Sequence, residues 1–186
     1  DQTSQEFQAI YEGPRLTLVS GVFYLRENIT SHQEAYGDDL VLGYFGQSSF
    51  LRTVDDDLET TSTAVYANAS YALTDRLNVG VGVRYTDEEK HYVRSTSTFW
   101  TSPGFNSTVA MNRTDSWDDF SPMVSLDYQL TDNVLLYGRV ASGFKSGGFN
   151  GRANNVGEDA PYDPETVTSY ELGLKSDWLD GDLVAN

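Results

Sequence analysis

Tyr71-Ala72-Leu73-Thr74-Asp75-Arg76-Leu77 decides the fold, because its pattern returns at Tyr128-Gln129-Leu130-Thr131-Asp132-Asn133-Val134. Both stretches read Tyr-x-Leu-Thr-Asp-x-apolar. In each, alternating residues run into a tight polar turn and alternating residues run out again. Trp178-Leu179-Asp180-Gly181-Asp182-Leu183 is a third version, and Glu12-Gly13-Pro14-Arg15 is a fourth.

Working outward from the first turn, Val65, Ala67, Ala69, Tyr71 and Leu73 share one face, with Tyr66, Asn68 and Ser70 on the other. Beyond it, Leu77, Val79, Val81, Val83 and Tyr85 alternate against Asn78, Gly80, Gly82, Arg84 and Thr86. Period-2 alternation marks a half-buried strand. A slip of one residue would put Arg84 on the apolar face, so the register is well specified. Around the second turn, Val124, Leu126, Tyr128 and Leu130 oppose Met123, Ser125, Asp127 and Gln129. Val134, Leu136 and Val140 then oppose Tyr137 and Arg139, with Leu135 out of pattern. A later strand sets Thr168, Tyr170, Leu172, Leu174 and Trp178 against Ser169, Glu171, Gly173, Lys175 and Asp177. The strand at residues 16–26 is apolar on both faces and takes no side.

About eight strands are expected by this pattern. They are joined alternately by short turns and by long polar connections, roughly residues 27–60, 91–114 and 145–165. Sorting all long connections to one end is the rhythm of an antiparallel barrel crossing an outer membrane. Residues 77–85 also match the roughly 9–11 residues that a tilted strand needs to cross the hydrocarbon.

The bulk properties agree. The chain has 186 residues, of which 39% are hydrophobic, and a mean hydropathy of -0.44. No apolar run reaches the ~18 residues of a membrane helix. A barrel needs apolar side chains only on its lipid side, so it tolerates this composition. Aromatic content is 13%, which suits membrane interfaces. A net charge of -16 argues against nucleic acid, whose phosphates need a basic patch. The acidic side chains cluster in residues 27–60, as a solvated loop or alternatively a divalent-cation site. There are no cysteines, hence no disulfides or thiolate metal sites. The chain shows no initiator Met and no leader, and it opens and closes inside strand-like sequence. A piece of a longer protein is therefore expected.

No catalytic constellation stands out, and neither a cofactor nor a metal is expected. His32 and His91 fall in expected loops without metal-ligand spacing. Tyr71, Tyr128 and Trp178 precede short turns and Tyr85 ends a strand at the other side, so these four are candidates for the two aromatic girdles. Arg84, Arg139, Glu171 and Lys175 fall on the polar faces. They either hydrate a wet wall and pair across strands or grip a plug. Tyr44, Phe45, Phe99, Trp100 and Phe105 lie in polar connections. They either form a ligand surface or pack within their loops.

Several segments resemble TonB-dependent outer-membrane receptors. Gly21-Val22-Phe23-Tyr24-Leu25-Arg26-Glu27 is similar to the family's G-x-F-Y-x-x-E strand. Residues 81–90 (VGVRYTDEEK) resemble its G-x-R-Y-T-x-E-x-K segment, and Trp117-Asp118-Asp119-Phe120-Ser121-Pro122 its W-x-x-x-S-P segment. Residues 137–150 (YGRVASGFKSGGFN) resemble Y-x-x-x-x-x-G-F-K-x-G-G-F-N, and residues 164–175 resemble P-E-x-x-x-x-Y-E-x-G-x-K. The order is the family's and the segments cover most of the chain. The resemblance implies an all-β, antiparallel transmembrane barrel segment, residues 1–186 being about a third of a roughly 22-stranded barrel. It implies a plug domain and a TonB-contacting motif that this chain lacks. It further implies outer-membrane lipid and lipopolysaccharide as surroundings in a Gram-negative cell. The partners would be TonB, reached through the missing N-terminal region, and a ferric-siderophore-like or other large nutrient. A passive porin-like channel and a soluble β-sandwich binding module are the alternatives.

Overall fold

In the computed structural model, residues 1–38, 43, 49–101, 106–153, 157–158, 160–178 and 183–185 are described. They form one eight-stranded sheet in which every strand pairs with its sequence neighbours. The strands are β1 (Gln2–Glu12), β2 (Leu16–Gly37), β3 (Phe50–Ala72), β4 (Leu77–Trp100), β5 (Ser107–Thr131), β6 (Val134–Lys145), β7 (Glu165–Trp178) and β8 (Leu183–Ala185). All pairings are antiparallel, and among the described residues the sheet does not close on itself, since β1 and β8 are not paired.

The repeated turn has a local cause. Thr74 Oγ1 accepts from the Arg76 N–H at 3.2 Å, and Thr131 Oγ1 accepts from the Asn133 N–H at 3.4 Å. A threonine hydroxyl bonded two residues on is an ST-turn, which tightens the reversal. The turn expected at residues 179–182 lies outside the described residues.

The register makes one face continuous. Tyr11, Leu18, Ala69, Val81, Val124, Val140 and Tyr170 stand directly opposite one another, strand after strand, from β1 to β7. Phe7, Val22, Val65, Tyr85 and Phe120 form a second such row. Most of these large apolar side chains are exposed, Tyr170 at 78%, and so is Leu172 on the same face of β7 at 88%. A soluble protein does not leave so wide an apolar face open to water. The other face is polar: Gln8, Gly21, Tyr66, Arg84 and Ser121 are one of its rows. The undecided strand now has sides. Leu16, Leu18, Val22 and Tyr24 join the apolar face, while Val19, Phe23 and Leu25 join the polar one.

The strands are far longer than residues 27–60 and 91–114 as loops would allow. β3 has 23 residues and β4 has 24. At about 3.3 Å per residue they run some 75–80 Å. The true long connections are residues 38–49, 101–106 and 146–164. Stretches such as Thr60-Thr61-Ser62-Thr63 and Val93-Arg94-Ser95-Thr96 are good strand formers, but their polarity on both faces hides the alternation. The acidic cluster also belongs to strands. His32 meets Asp55 at 2.6 Å and Arg26 meets Glu59 at 2.9 Å. Among the described residues, no group of three His, Asp or Glu side chains is placed to hold a metal ion.

Candidate functional site: the polar face and its inward fold

The polar face gathers the expected charged residues. Arg139 stands opposite Ser125 on one side and Glu171 on the other. Arg84 lies 5.5 Å over the Phe23 ring and donates through Nε to Thr86 at 3.1 Å. Lys175 lies 5.4 Å over the Tyr137 ring, whose hydroxyl donates to Glu171 at 3.0 Å. Glu6 accepts from the Tyr66 hydroxyl at 2.6 Å, and Gln8 donates to that same oxygen at 2.7 Å.

Two of these tyrosines lie flat on the wall because glycines make room. A Cβ on Gly21 would fall 2.6 Å from the Tyr66 hydroxyl, and one on Gly173 would fall 2.4 Å from the Tyr137 ring. The rings therefore cover backbone instead of projecting from the face. On the same face an open hollow of about 510 Å³ is bounded by Glu6, Tyr66, Arg84, Ser121 and Arg139. Two guanidinium groups with fork geometry suit a carboxylate or a backbone carbonyl.

Toward the far end of the same face, residues 146–153 fold back onto β3, β4 and β5. Arg94 is the centre of this contact and is only 5% exposed. Its Nη1 donates to Asp56 at 2.8 and 3.1 Å, and to the Gly151 carbonyl at 2.8 Å. Its Nε donates to the Ala153 carbonyl at 3.0 Å. Tyr92 donates to Asp56 at 2.7 Å, which completes the carboxylate's partners. Lys90 donates to Ser146 Oγ at 2.7 Å and to the Gly147 carbonyl at 2.8 Å, and pairs with Glu88 at 3.1 Å. Ser146 in turn donates to Glu88. Phe149 stacks on Tyr92 at 5.6 Å and meets Trp117 edge-on at 6.1 Å. The paired glycines are needed for this approach, since a Cβ on Gly147 would lie 2.5 Å from the Trp117 indole. Hydrogen bonds to charged groups contribute about 1.5–3 kcal/mol each. The contact is thus made of the stronger kind of polar interaction plus an aromatic cluster.

Sequence reasoning placed residues 145–165 in a long polar connection and missed this site. The available signal was Gly147-Gly148-Phe149, small residues beside an aromatic, but its partners Tyr92, Arg94 and Trp117 are remote in sequence. The connection aromatics separate. Trp100 packs on Phe50 at 4.9 Å, and its backbone N–H donates to Asn106 at 2.8 Å. Phe99 is 49% exposed and falls on the side of Val83 and Tyr85. Tyr44, Phe45 and Phe105 lie outside the described residues. Tyr71, Tyr85, Tyr128 and Trp178 are all exposed on the apolar side, as is Tyr11 near the end of β1. The two histidines are strand residues with partners. His91 meets Asn112 at 2.9 Å, and the Asp55 hydrogen bond, with Glu34 adding to it, holds the His32 pKa above its ordinary value.

Comparison with known proteins agrees with this architecture. A family model described as "TonB dependent receptor-like, beta-barrel" matches residues 2–186. The pesticin receptor of Yersinia pestis is 28% identical over 188 residues, covering 100% of this chain and 26% of that protein. A pesticin receptor of Yersinia enterocolitica is 30% identical over 123 residues, covering 66% of this chain and 17% of that protein. The chain therefore spans about a quarter of the length of the first of these relatives. Among solved structures, the ferric yersiniabactin uptake receptor FyuA from Yersinia pestis superposes with a TM-score of 0.70 at 22% identity, covering 96% of this chain and 26% of that one. The open form of the ferric-catecholate import receptor Fiu from E. coli K12 gives 0.66 at 15% identity, covering 98% and 28%. At these identities the structural likeness speaks for the fold.

Proposed function

Because the chain belongs to the TonB-dependent receptors, as part of their outer-membrane β-barrel, we propose that its parent protein takes up a ferric-siderophore-like complex. The observation that carries this is the two-sidedness of the sheet. A continuous apolar face is backed by a polar face with Arg84, Arg139, Glu171 and Lys175. In the proposal the apolar face meets lipid and the polar face lines the barrel interior, where those four residues hold a plug. Tyr71, Tyr128 and Trp178 form one girdle and Tyr85 belongs to the other. On β5, Tyr128 and Phe120 are eight positions apart. That is about 26 Å along the strand, or about 20 Å of height at a tilt of about 40°, which fits within the roughly 25 Å apolar band of such barrels.

TonB drives release through a plug and an N-terminal contact motif carried elsewhere in the parent protein. No covalent step is involved. The choice of an iron complex is supported by what the relatives are named for, since one is a ferric yersiniabactin receptor and another a ferric-catecholate receptor. The test is ⁵⁵Fe uptake from ferric yersiniabactin and from ferric catecholates by iron-starved cells. Deleting the receptor gene and deleting the TonB gene should each reduce uptake of one of these complexes by at least tenfold. Receptor-dependent uptake that survives loss of TonB would instead identify a passive channel.

A further inference from the structure

We infer that residues 146–153 form a fixed inner rim on the barrel wall, not a lid, and that Arg94 is the positioning residue that holds it. Extracellular connections of a receptor are the natural place for movable closures. This one is built differently.

Arg94 uses its fork in two directions at once. Its Nη1 is anchored on the wall through Asp56, and Tyr92 orients that carboxylate. The same Nη1 also donates to the Gly151 carbonyl of the fold-back, and Nε donates to the Ala153 carbonyl. A carbonyl contact is indifferent to the side chain that follows, so it fixes the path of the backbone. Lysine has no planar fork and cannot satisfy both directions. Lys90 repeats the arrangement at the other end of the segment, with Glu88 on the wall and Ser146 and Gly147 on the fold-back.

Burial follows the same outline. Ser146 is 8% exposed and Ala153 is fully buried, although both belong to a connection between strands. Lifting the segment would strip four donor–acceptor pairs from two cations and separate Phe149 from Tyr92 and Trp117. Gly148, inside the segment, also bridges to Tyr162, the two exchanging backbone hydrogen bonds at 2.8 and 3.3 Å. Within residues 146–153, both ends are held on the wall, by Lys90 at Ser146 and by Arg94 at Ala153. In the uptake reading, on which only this consequence rests, the rim sets a constant width for the passage, and any closure over a ligand comes from other connections.

The experiment uses the purified full-length receptor in detergent, with no nutrient present, so that it stands or falls apart from uptake. The chain has no cysteine of its own. Ser146→Cys is near-isosteric and reports the buried rim, while Asp163→Cys reports an exposed position in the same connection. The maleimide reaction at Ser146→Cys should be at least tenfold slower than at Asp163→Cys. Adding Arg94→Ala should bring the two rates within about twofold, and Arg94→Lys should fall between. Heat-modifiable migration on a gel checks that each variant keeps its barrel, and Arg94→Lys carries the test if Arg94→Ala does not fold. Equal rates in the unsubstituted background would show that the segment opens freely and overturn the fixed rim. Protection that persists in folded Arg94 variants would overturn the role of Arg94.

Discussion

Val81 shows how a single side chain reports the surroundings of the sheet. It stands midway along residues 77–85 between Ala69 and Val124, 48% exposed on the apolar face. In the proposed arrangement an arginine there would meet hydrocarbon near the bilayer midplane. Val81→Arg should destabilise the full-length receptor by about 2–4 kcal/mol in a folding titration into lipid. The neighbouring Gly82 is a poor control, because any Cβ there would fall 2.3 Å from Asn68 Oδ1. Ser4→Arg is a better one, since Ser4 is exposed on the polar face of the same sheet. That variant should be near neutral. A second residue-scale outcome concerns His32, on the extension of β2 past Arg26, which the proposed arrangement puts beyond the membrane. Its pKa is raised, first by the Asp55 hydrogen bond and then by Glu34. The raised value means that the contact stabilises fully below the unfolded pKa of about 6.5 and is lost as pH rises through the folded value. An NMR titration of the full-length receptor should place His32 above 6.5, and Asp55→Asn should move it back down.

At the scale of elements, the turns and the membrane-level strands were legible and the extensions were not. Leu77, Val79, Val81, Val83 and Tyr85 alternate because one face meets an apolar medium and the other a polar one. Past Tyr85, Asp87 and Glu89 occupy the outer positions, so the hydrophobic contrast that marks a strand disappears. The same loss hid β2 beyond Arg26 and β3 before Thr63. The fold-back at residues 146–153 was illegible for another reason. Glycine and asparagine are ordinary loop chemistry, and nothing local reveals that Arg94 and Lys90 wait on another strand. The turns were readable because their determinant is local. Removing the hydroxyl tests this: Thr74→Ala and Thr131→Ala should each cost about 0.5–1.5 kcal/mol in the same titration. Thr74→Ser and Thr131→Ser should recover most of it.

On the scale of the whole molecule, the short turns at residues 13–15, 73–76 and 132–133 share one end of the sheet, and the connections at 38–49, 101–106 and 146–164 share the other. An outer-membrane barrel places its long connections outside the cell and its short turns in the periplasm. That orientation is what exposes the rim and the Trp100 tip to an external nutrient, and the account depends on it. It is tested most directly by labelling single cysteines in intact cells with a membrane-impermeant thiol reagent. Thr101→Cys should label in whole cells, and Asp132→Cys should label only after lysis. Labelling at Asp132→Cys in whole cells with Thr101→Cys spared would invert the molecule in the membrane and contradict the account.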